Sequence, residues 1–299
     1  MRGHFAPAKV NLALHVTGRR SDGYHDIDTL AAFAGIGDTV GAEPLADGRF
    51  ELACAGPFAA DLPHDAGGNL VLRAARLLAE AAGAAGLAGG GVRLTLIKRL
   101  PVASGIGGGS ADAAATLRAL RALWSLPASF DLGGVARQLG ADVPMCLASV
   151  PLRARGRGER IEHLAGAAPL PALLVNAGIA APTARVFAAL AQKTRPPIGE
   201  LAPRPFDPAF LAGLRNDLEP AAIRLFPPIG ATLDFLRACP GVLLARMSGS
   251  GATCFGLFAD AAAAEAARRR AVDLHPSWWC VATTLGAGAP ANADAEAGT

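Results

Sequence analysis

The chain has 299 residues, 52% hydrophobic and 18% charged, with a formal net charge of +3. That length suits about two domains, and that composition supplies a folded core, which excludes a disordered chain. Of the basic residues only Lys9, Lys98 and Lys193 are lysines, and the arginines are dispersed, which excludes a nucleic-acid-binding stripe and leaves small anionic ligands as partners.

The five cysteines, Cys54, Cys146, Cys239, Cys254 and Cys280, form no CxxC pair. They read as reduced thiols of a cytoplasmic protein. Lys9, Asn11 and His15 stand where a secretory signal would need an apolar run. Residues 164–182 are uncharged and long enough to span a bilayer, but Pro169, Pro171 and Pro182 interrupt them and Asn176 lies inside. The stretch reads as a buried strand at 172–175 between two loops, so no membrane partner is expected.

In chain order, Val10, Leu12, Leu14 and Val16 alternate with Lys9, Asn11, Ala13 and His15. Period two predicts a half-buried strand over 9–17, with Lys9 and Asn11 on the face away from the core. A turn-rich loop follows, leading to Tyr24 and His25. A helix is predicted over 69–83, with Leu70, Ala74, Leu77 and Leu78 on one face, and a strand at Val92, Leu94 and Leu96. An alanine-rich helix from about Ser110 to Trp124 presents Leu117, Leu120 and Trp124 to the core. Near Pro151 the character shifts to short basic, Gly/Pro-rich pieces. A second αβ region includes a helix at 259–272 and a strand at 279–284, and residues 286–299 read as a disordered tail. The mixture lacks a βαβ rhythm and predicts an α+β fold.

Three stretches could carry chemistry. Gly105-Ile106-Gly107-Gly108-Gly109-Ser110 opens a helix. Glycines admit close backbone approach, and a helix N-terminus offers unpaired N–H groups to phosphate; a plain turn is the other reading. No Gly-Lys pair exists for a Walker loop, and Ser110 stands where the dinucleotide fingerprint needs its third glycine. The second stretch, Ser248-Gly249-Ser250-Gly251, could close on a ligand from the other side or be a simple turn. The third is Gly140-Ala141-Asp142-Val143-Pro144. Pro144 biases its predecessor toward extended geometry, which puts Asp142 at a helix end or loop start. An aspartate there is a cap, unless a lysine such as Lys9 meets it and keeps it ionised to orient a hydroxyl or take its proton. The six histidines show no metal-binding spacing, and His15 reads as a packed residue.

Together these stretches resemble the diphosphocytidyl-methylerythritol kinases of the GHMP (galactose, homoserine, mevalonate, phosphomevalonate) superfamily. The segments that carry the resemblance are Pro7 to Leu12 with Arg19 to His25, Pro101 to Ala115, Leu139 to Pro144, Asn216 to Glu219 and Met247 to Ala252, in the family's order. The resemblance implies a two-domain GHMP kinase fold. A ribosomal-S5-like N-terminal domain over 1–155 would be followed by a ferredoxin-like domain over 156–285, whose last strand returns to the first.

It further implies ATP-dependent phosphorylation, with Mg²⁺, of the 2-hydroxyl of 4-diphosphocytidyl-2-C-methyl-D-erythritol in non-mevalonate isoprenoid synthesis, by a monomer or weak homodimer. Asp142 would be the base or orienting group and Lys9 its partner. Asn69, Lys98, Pro101 and the loop from Gly105 through Ile106, Gly107, Gly108 and Gly109 to Ser110 would bind ATP. Asn11, Tyr24, His25, Phe187, Gly249 and Ser250 would bind the second substrate, Tyr24 and Phe187 covering the two faces of cytosine and His25 bonding its edge. No carboxylate ligand for the metal is apparent in the sequence. The competing readings are another GHMP small-molecule kinase and a silent nucleotide-binding regulator.

Overall fold

The computed structural model describes residues 3–62, 68–87 and 89–286. The elements are, in order, β1 Gly3–Arg19, β2 His25–Leu45, β3 Phe50–Ala55, α1 Leu70–Ala84, β4 Gly91–Ile97, α2 Gly108–Leu123, α3 Leu132–Leu139 and α4 Val143–Ala148. There follow β5 Leu152–Gly156, β6 Arg160–His163, β7 Leu170–Asn176, α5 Thr183–Ala188, α6 Pro208–Ala212, α7 Glu219–Leu225, α8 Pro228–Arg237, β8 Val242–Met247, β9 Cys254–Phe258, α9 Ala261–Leu274 and β10 Trp279–Gly286. Strand order is β3-β4-β2-β10-β7-β9-β8, with β1 and β5 also on β2 and β6 on β5. Among the described strands only β3 and β4 pair in parallel, joined through α1; the other pairs are antiparallel. The fold is α+β, as the missing βαβ rhythm predicts.

The predicted 9–17 strand is part of a longer one, and it is buried on both faces. Lys9, Asn11 and His15 are as inaccessible as Val10, Leu12 and Leu14. The register against β2 shifts between Asn11 and Ala13. Such a bulge moves later side chains to the other face. Accordingly, Val10, Leu12 and Ala13 join one buried cluster with Leu174 and Phe255, while Leu14 and Val16 join another with Leu233 and Leu236. Lys9 and Asn11 remain on one side, their polar ends 3.0 Å apart.

Helix α1 starts where Asn69 caps it, its side chain accepting from Val71 N at 2.9 Å. Leu78 and Ala74 reach the core as expected, whereas Leu70 and Leu77 are half-buried. Helix α2 begins at Gly108, two residues before the expected start, because Gly107 at φ 65 supplies the turn. Its buried alanines 111, 113, 114, 115 and 119 let it lie close on the sheet. Trp124 is a half-buried residue just past the helix end. Val143, which Pro144 was expected to hold extended, is instead the first residue of α4, with Pro144 in the first turn, where its missing N–H costs nothing.

The last strand joins two parts of the sheet: β10 runs along β7 from Trp279 to Leu285, and Leu285 and Gly286 pair with Ala34 and Phe33 of β2. Gly286 thus belongs to a strand and not to the expected tail, and 287–299 lie outside the described residues. No described helix is long and apolar enough to cross a membrane.

Arg153 on β5 makes a two-bonded pair with Asp28 on β2, at 2.8 and 2.6 Å, and Asp28 also accepts from Ile198 N at 3.0 Å. Both side chains are nearly buried, so removing one partner strands the other. The Arg153→Ala variant is expected to lose about 3–5 kcal/mol of unfolding free energy. Urea denaturation against the parent chain checks this.

Candidate active site

The two glycine-rich loops of the sequence meet. A Cβ on Gly105 would lie 2.5 Å from Gly251 O and 2.7 Å from Ser248 O, and one on Gly249 would lie 2.8 Å from Gly105 O. Contacts this short admit only glycine. Hydrogen bonds close the seam. Thr253 N donates to Ser104 O at 2.9 Å, and the Ser248 hydroxyl donates to Gly105 O at 2.9 Å while accepting from Asn11 N at 3.1 Å.

Asn216-Asp217-Leu218-Glu219 secures the same seam. Asn216 Nδ2 donates to Met247 O and Gly249 O, each at 2.8 Å, and Glu219 Oε2 accepts from Met247 N at 2.9 Å. Asp217 Oδ2 accepts from Val16 N at 2.8 Å and so ties the motif to β1.

Lys9 lies against the first loop. Its N–H donates to Ile106 O at 2.9 Å, and a Cβ on Gly107 would lie 3.2 Å from its Cβ and Cε. The buried ammonium is 3.0 Å from Asp142 Oδ2 and 3.0 Å from Asn11 Oδ1. Asn11 Nδ2 in turn donates to Thr29 Oγ1 at 2.8 Å, which fixes its amide orientation. Asp142 makes no side-chain cap bond to α4. It faces Lys9 with its side chain 40% exposed, so one partner of the pair is buried and the other opens to solvent.

These groups line a cavity of ≈1140 Å³. That exceeds the size of most single-ligand pockets and fits two nucleotide-sized molecules. Asn69, Lys98, Pro101, Gly105, Gly107, Gly108, Gly109 and Ser110 form one part of its wall; Asn11, Tyr24, His25, Phe187, Gly249 and Ser250 form another. Ile106 does not line it. Its side chain is fully buried beneath the loop, and its carbonyl serves Lys9.

His25 and Phe187 stack on each other at 5.0 Å between centroids. That spacing leaves no room for a base between them, since each ring-to-base stack needs roughly 3.5 Å of depth. A base can still lie against Tyr24, which is 54% exposed. Burial, then Arg19 and Lys193, hold the His25 imidazole below its ordinary pKa, so the ring is neutral near pH 7. Its Nε2 is buried and has no partner.

Two groups around Lys98 were not singled out from sequence. Lys98 Nζ is enclosed by Asp38 Oδ2 at 2.5 Å and Asp112 Oδ2 at 2.8 Å. Asp38 also accepts from the N–H groups of Arg99 and Leu100, at 2.6 and 2.9 Å. Asp112 Oδ1 is buried and unpartnered. Asp112 was visible inside the glycine-loop motif, but nothing local announces Asp38, 60 residues from Lys98. Burial raises the Asp112 carboxyl from 3.8 to about 8, against the pull of Lys98.

Two family models match the chain: GHMP kinases N terminal domain over residues 69–149 and GHMP kinases C terminal over 188–275. A Cereibacter sphaeroides protein named 4-diphosphocytidyl-2-C-methyl-D-erythritol kinase is 52% identical, over 92% of this chain and 96% of its own length. The chain belongs to the GHMP kinases, in the 4-diphosphocytidyl-2-C-methyl-D-erythritol kinase family. A relative of the same name from Paracoccus denitrificans is 51% identical to this kinase, over 95% of this chain and 97% of its own. A crystal structure of a 4-(cytidine 5'-diphospho)-2C-methyl-D-erythritol kinase superposes with TM-score 0.77 at 40% identity, covering 96% of this kinase and all of that chain. The homoserine kinase of Cytophaga hutchinsonii, at 19% identity and TM-score 0.73 over 96% and 95% of the two chains, shares the fold.

Because folded Asp112 keeps a proton that the unfolded chain releases near 3.8, folding binds protons between about 4 and 8. Stability from this group therefore falls as pH rises through that window. In Asp112→Asn the slope disappears, and the variant gains Tm relative to the parent as pH is raised. Thermal melts across the window read this directly.

Proposed function

We propose that this kinase transfers the γ-phosphoryl group of ATP to the 2-hydroxyl of 4-diphosphocytidyl-2-C-methyl-D-erythritol. The observation that carries the mechanism is Lys9 Nζ at 3.0 Å from Asp142 Oδ2 in the wall of a cavity with room for both substrates. The ammonium holds one oxygen of the carboxylate, whose exposed side is free to accept the substrate hydroxyl proton. The glycine loop and the N-terminus of α2 hold the ATP phosphates by backbone N–H groups and the helix dipole. The main demands of the transfer are in-line positioning and charge neutralisation, which fixed amides and one ammonium supply.

The cytosine lies on Tyr24 and takes an edge hydrogen bond from His25, whose buried Nε2 is otherwise unsatisfied. Asn11, Gly249 and Ser250 border the remainder of this substrate, and Phe187 backs the His25 ring. Such edge bonds give the larger part of selectivity, since a wrong base leaves a buried polar group unpaired.

Mg²⁺ fits this site as an ion carried by the nucleotide. It keeps several waters and takes phosphates as ligands, so it needs no protein cage. The described residues hold no cluster of three or more acidic, His or Cys side chains suited to a metal. The Ser110 hydroxyl at the loop end would hold it, directly or through water, and the ion would neutralise charge on the transferred group. We further read the chain as a cytoplasmic monomer or weak homodimer, with its two GHMP domains meeting near residue 155.

Purified protein is assayed for ATP consumption with Mg²⁺ and the cytidyl substrate, with mevalonate and homoserine alongside. Turnover of the cytidyl substrate alone is expected; activity on another alcohol in its place would overturn the substrate assignment. Asp142→Ala should lower kcat by roughly 10²–10⁴ with ATP affinity retained. Near-parental turnover in that variant would remove the base role. Tyr24→Ala should raise KM for the cytidyl substrate and leave KM for ATP unchanged, as read from steady-state kinetics.

A further inference from the structure

The β5–β6 turn carries Arg157, whose guanidinium carbon lies 3.7 Å from the centroid of the Tyr24 ring. Both residues line the cavity. Among the described residues the guanidinium has no hydrogen-bond or ion-pair partner; its contact is the ring. A guanidinium over an aromatic face gains cation–π energy, and its N–H donors remain available at its rim.

The turn that holds Arg157 is fixed on two sides. Its flanking glycines, Gly156 at φ +74 and Gly158 at φ +118, adopt backbone conformations that other residues resist. A Cβ on Gly158 would lie 3.1 Å from Ala141 O, so the turn packs beside the residue preceding Asp142. Arg157 N donates to Glu159 Oε2 at 2.5 Å, and Glu159 Oε1 is 3.7 Å from Arg20, whose guanidinium also holds Asp26 at 2.7 Å. The loop bearing Tyr24 and the turn bearing Arg157 are thereby linked.

The Tyr24 backbone is fixed by Arg20 N donating to its carbonyl at 2.8 Å and by its own N–H donating to Asp22 Oδ1 at 3.0 Å. Its ring, 54% exposed, would otherwise sample several rotamers. A stack on one face restricts the ring and leaves the other face for a ligand.

We propose that Arg157 is a substrate-positioning residue that stacks on one face of Tyr24 and holds the ring so that its other face receives the cytosine base. The proposal rests on the substrate assignment above. It makes the cytidine half of the pocket a three-layer stack of guanidinium, phenol and base, prepared before the substrate arrives. Preorganisation of this kind lowers the ordering cost of binding and leaves the phosphoryl-transfer step alone.

The test is steady-state kinetics of the full chain with ATP, Mg²⁺ and the cytidyl substrate. Arg157→Ala is expected to raise KM for the cytidyl substrate on the order of fivefold, with kcat and KM for ATP within about twofold of the parent. Arg157→Lys, which keeps the cation, should recover part of the loss. In a Tyr24→Ala background the Arg157→Ala change should add little, because its effect passes through the ring. An unchanged KM in the single variant would overturn the proposal. So would an equal additional rise in the Tyr24→Ala background, which would make Arg157 a direct ligand of the diphosphate. A parent chain that phosphorylates only another alcohol overturns the substrate assignment and this proposal together. A parent chain active on the cytidyl substrate with Arg157→Ala unaffected overturns this proposal alone.

Discussion

The site depends on one close approach, the backbone contact between Gly105 and the Ser248–Gly251 turn. No side chain larger than hydrogen fits at Gly105, and the seam is closed by bonds from Ser248, Thr253 and Asn216. Because those loops are separated by more than a hundred residues, the contact sets the relation between β1, α2 and β9 as well as the shape of the cavity. Lys9 lies directly beneath it, and its own N–H is paired to the first loop. Moving either loop would move the ammonium away from Asp142.

Two of the lysines that line the cavity, Lys9 and Lys98, have different electrostatic circumstances. Lys98 is held between Asp38 and the proton-retaining Asp112, so its charge is spent inside the protein against the Asp38 carboxylate. Lys9 has one carboxylate, and that carboxylate is well exposed. Its field therefore extends into the cavity, where a phosphate or a developing alkoxide can use it. Water near Asp142 screens the pair, which keeps its contribution to folding small relative to its contribution to chemistry.

Much of this could be read from the chain because the relevant signals are local. The two glycine loops and the Lys9–Asn11 alternation are short patterns, as is the Pro144 signal that put Asp142 at a helix end or loop start, where it in fact stands at the head of α4. What the sequence concealed was long-range. Burial of Lys9 and Asn11 on both faces of β1 follows from cover supplied by segments far along the chain. Strand β2, which pairs with four others, is rich in Ala and Gly and shows little alternation, because over residues 28–34 neither of its faces meets solvent. Asp38 and Arg157 had no local signature, since each acquires its meaning from a partner more than fifty residues away. The His25–Phe187 stack was hidden for the same reason, and the expected Tyr24–Phe187 sandwich came from resemblance alone.

The position of β10 has a consequence for synthesis. Residues 279–286 supply the strand between β2 and β7. Until they leave the ribosome, β7 presents an open edge, β2 lacks its partners at Phe33 and Ala34, and the central part of the sheet cannot be completed. Long-range antiparallel closure of this kind is slow and leaves pairing edges exposed in the meantime. The nascent kinase is therefore most vulnerable to edge-to-edge association late in its translation, when nearly all of its core residues are present but the strand that joins them is not.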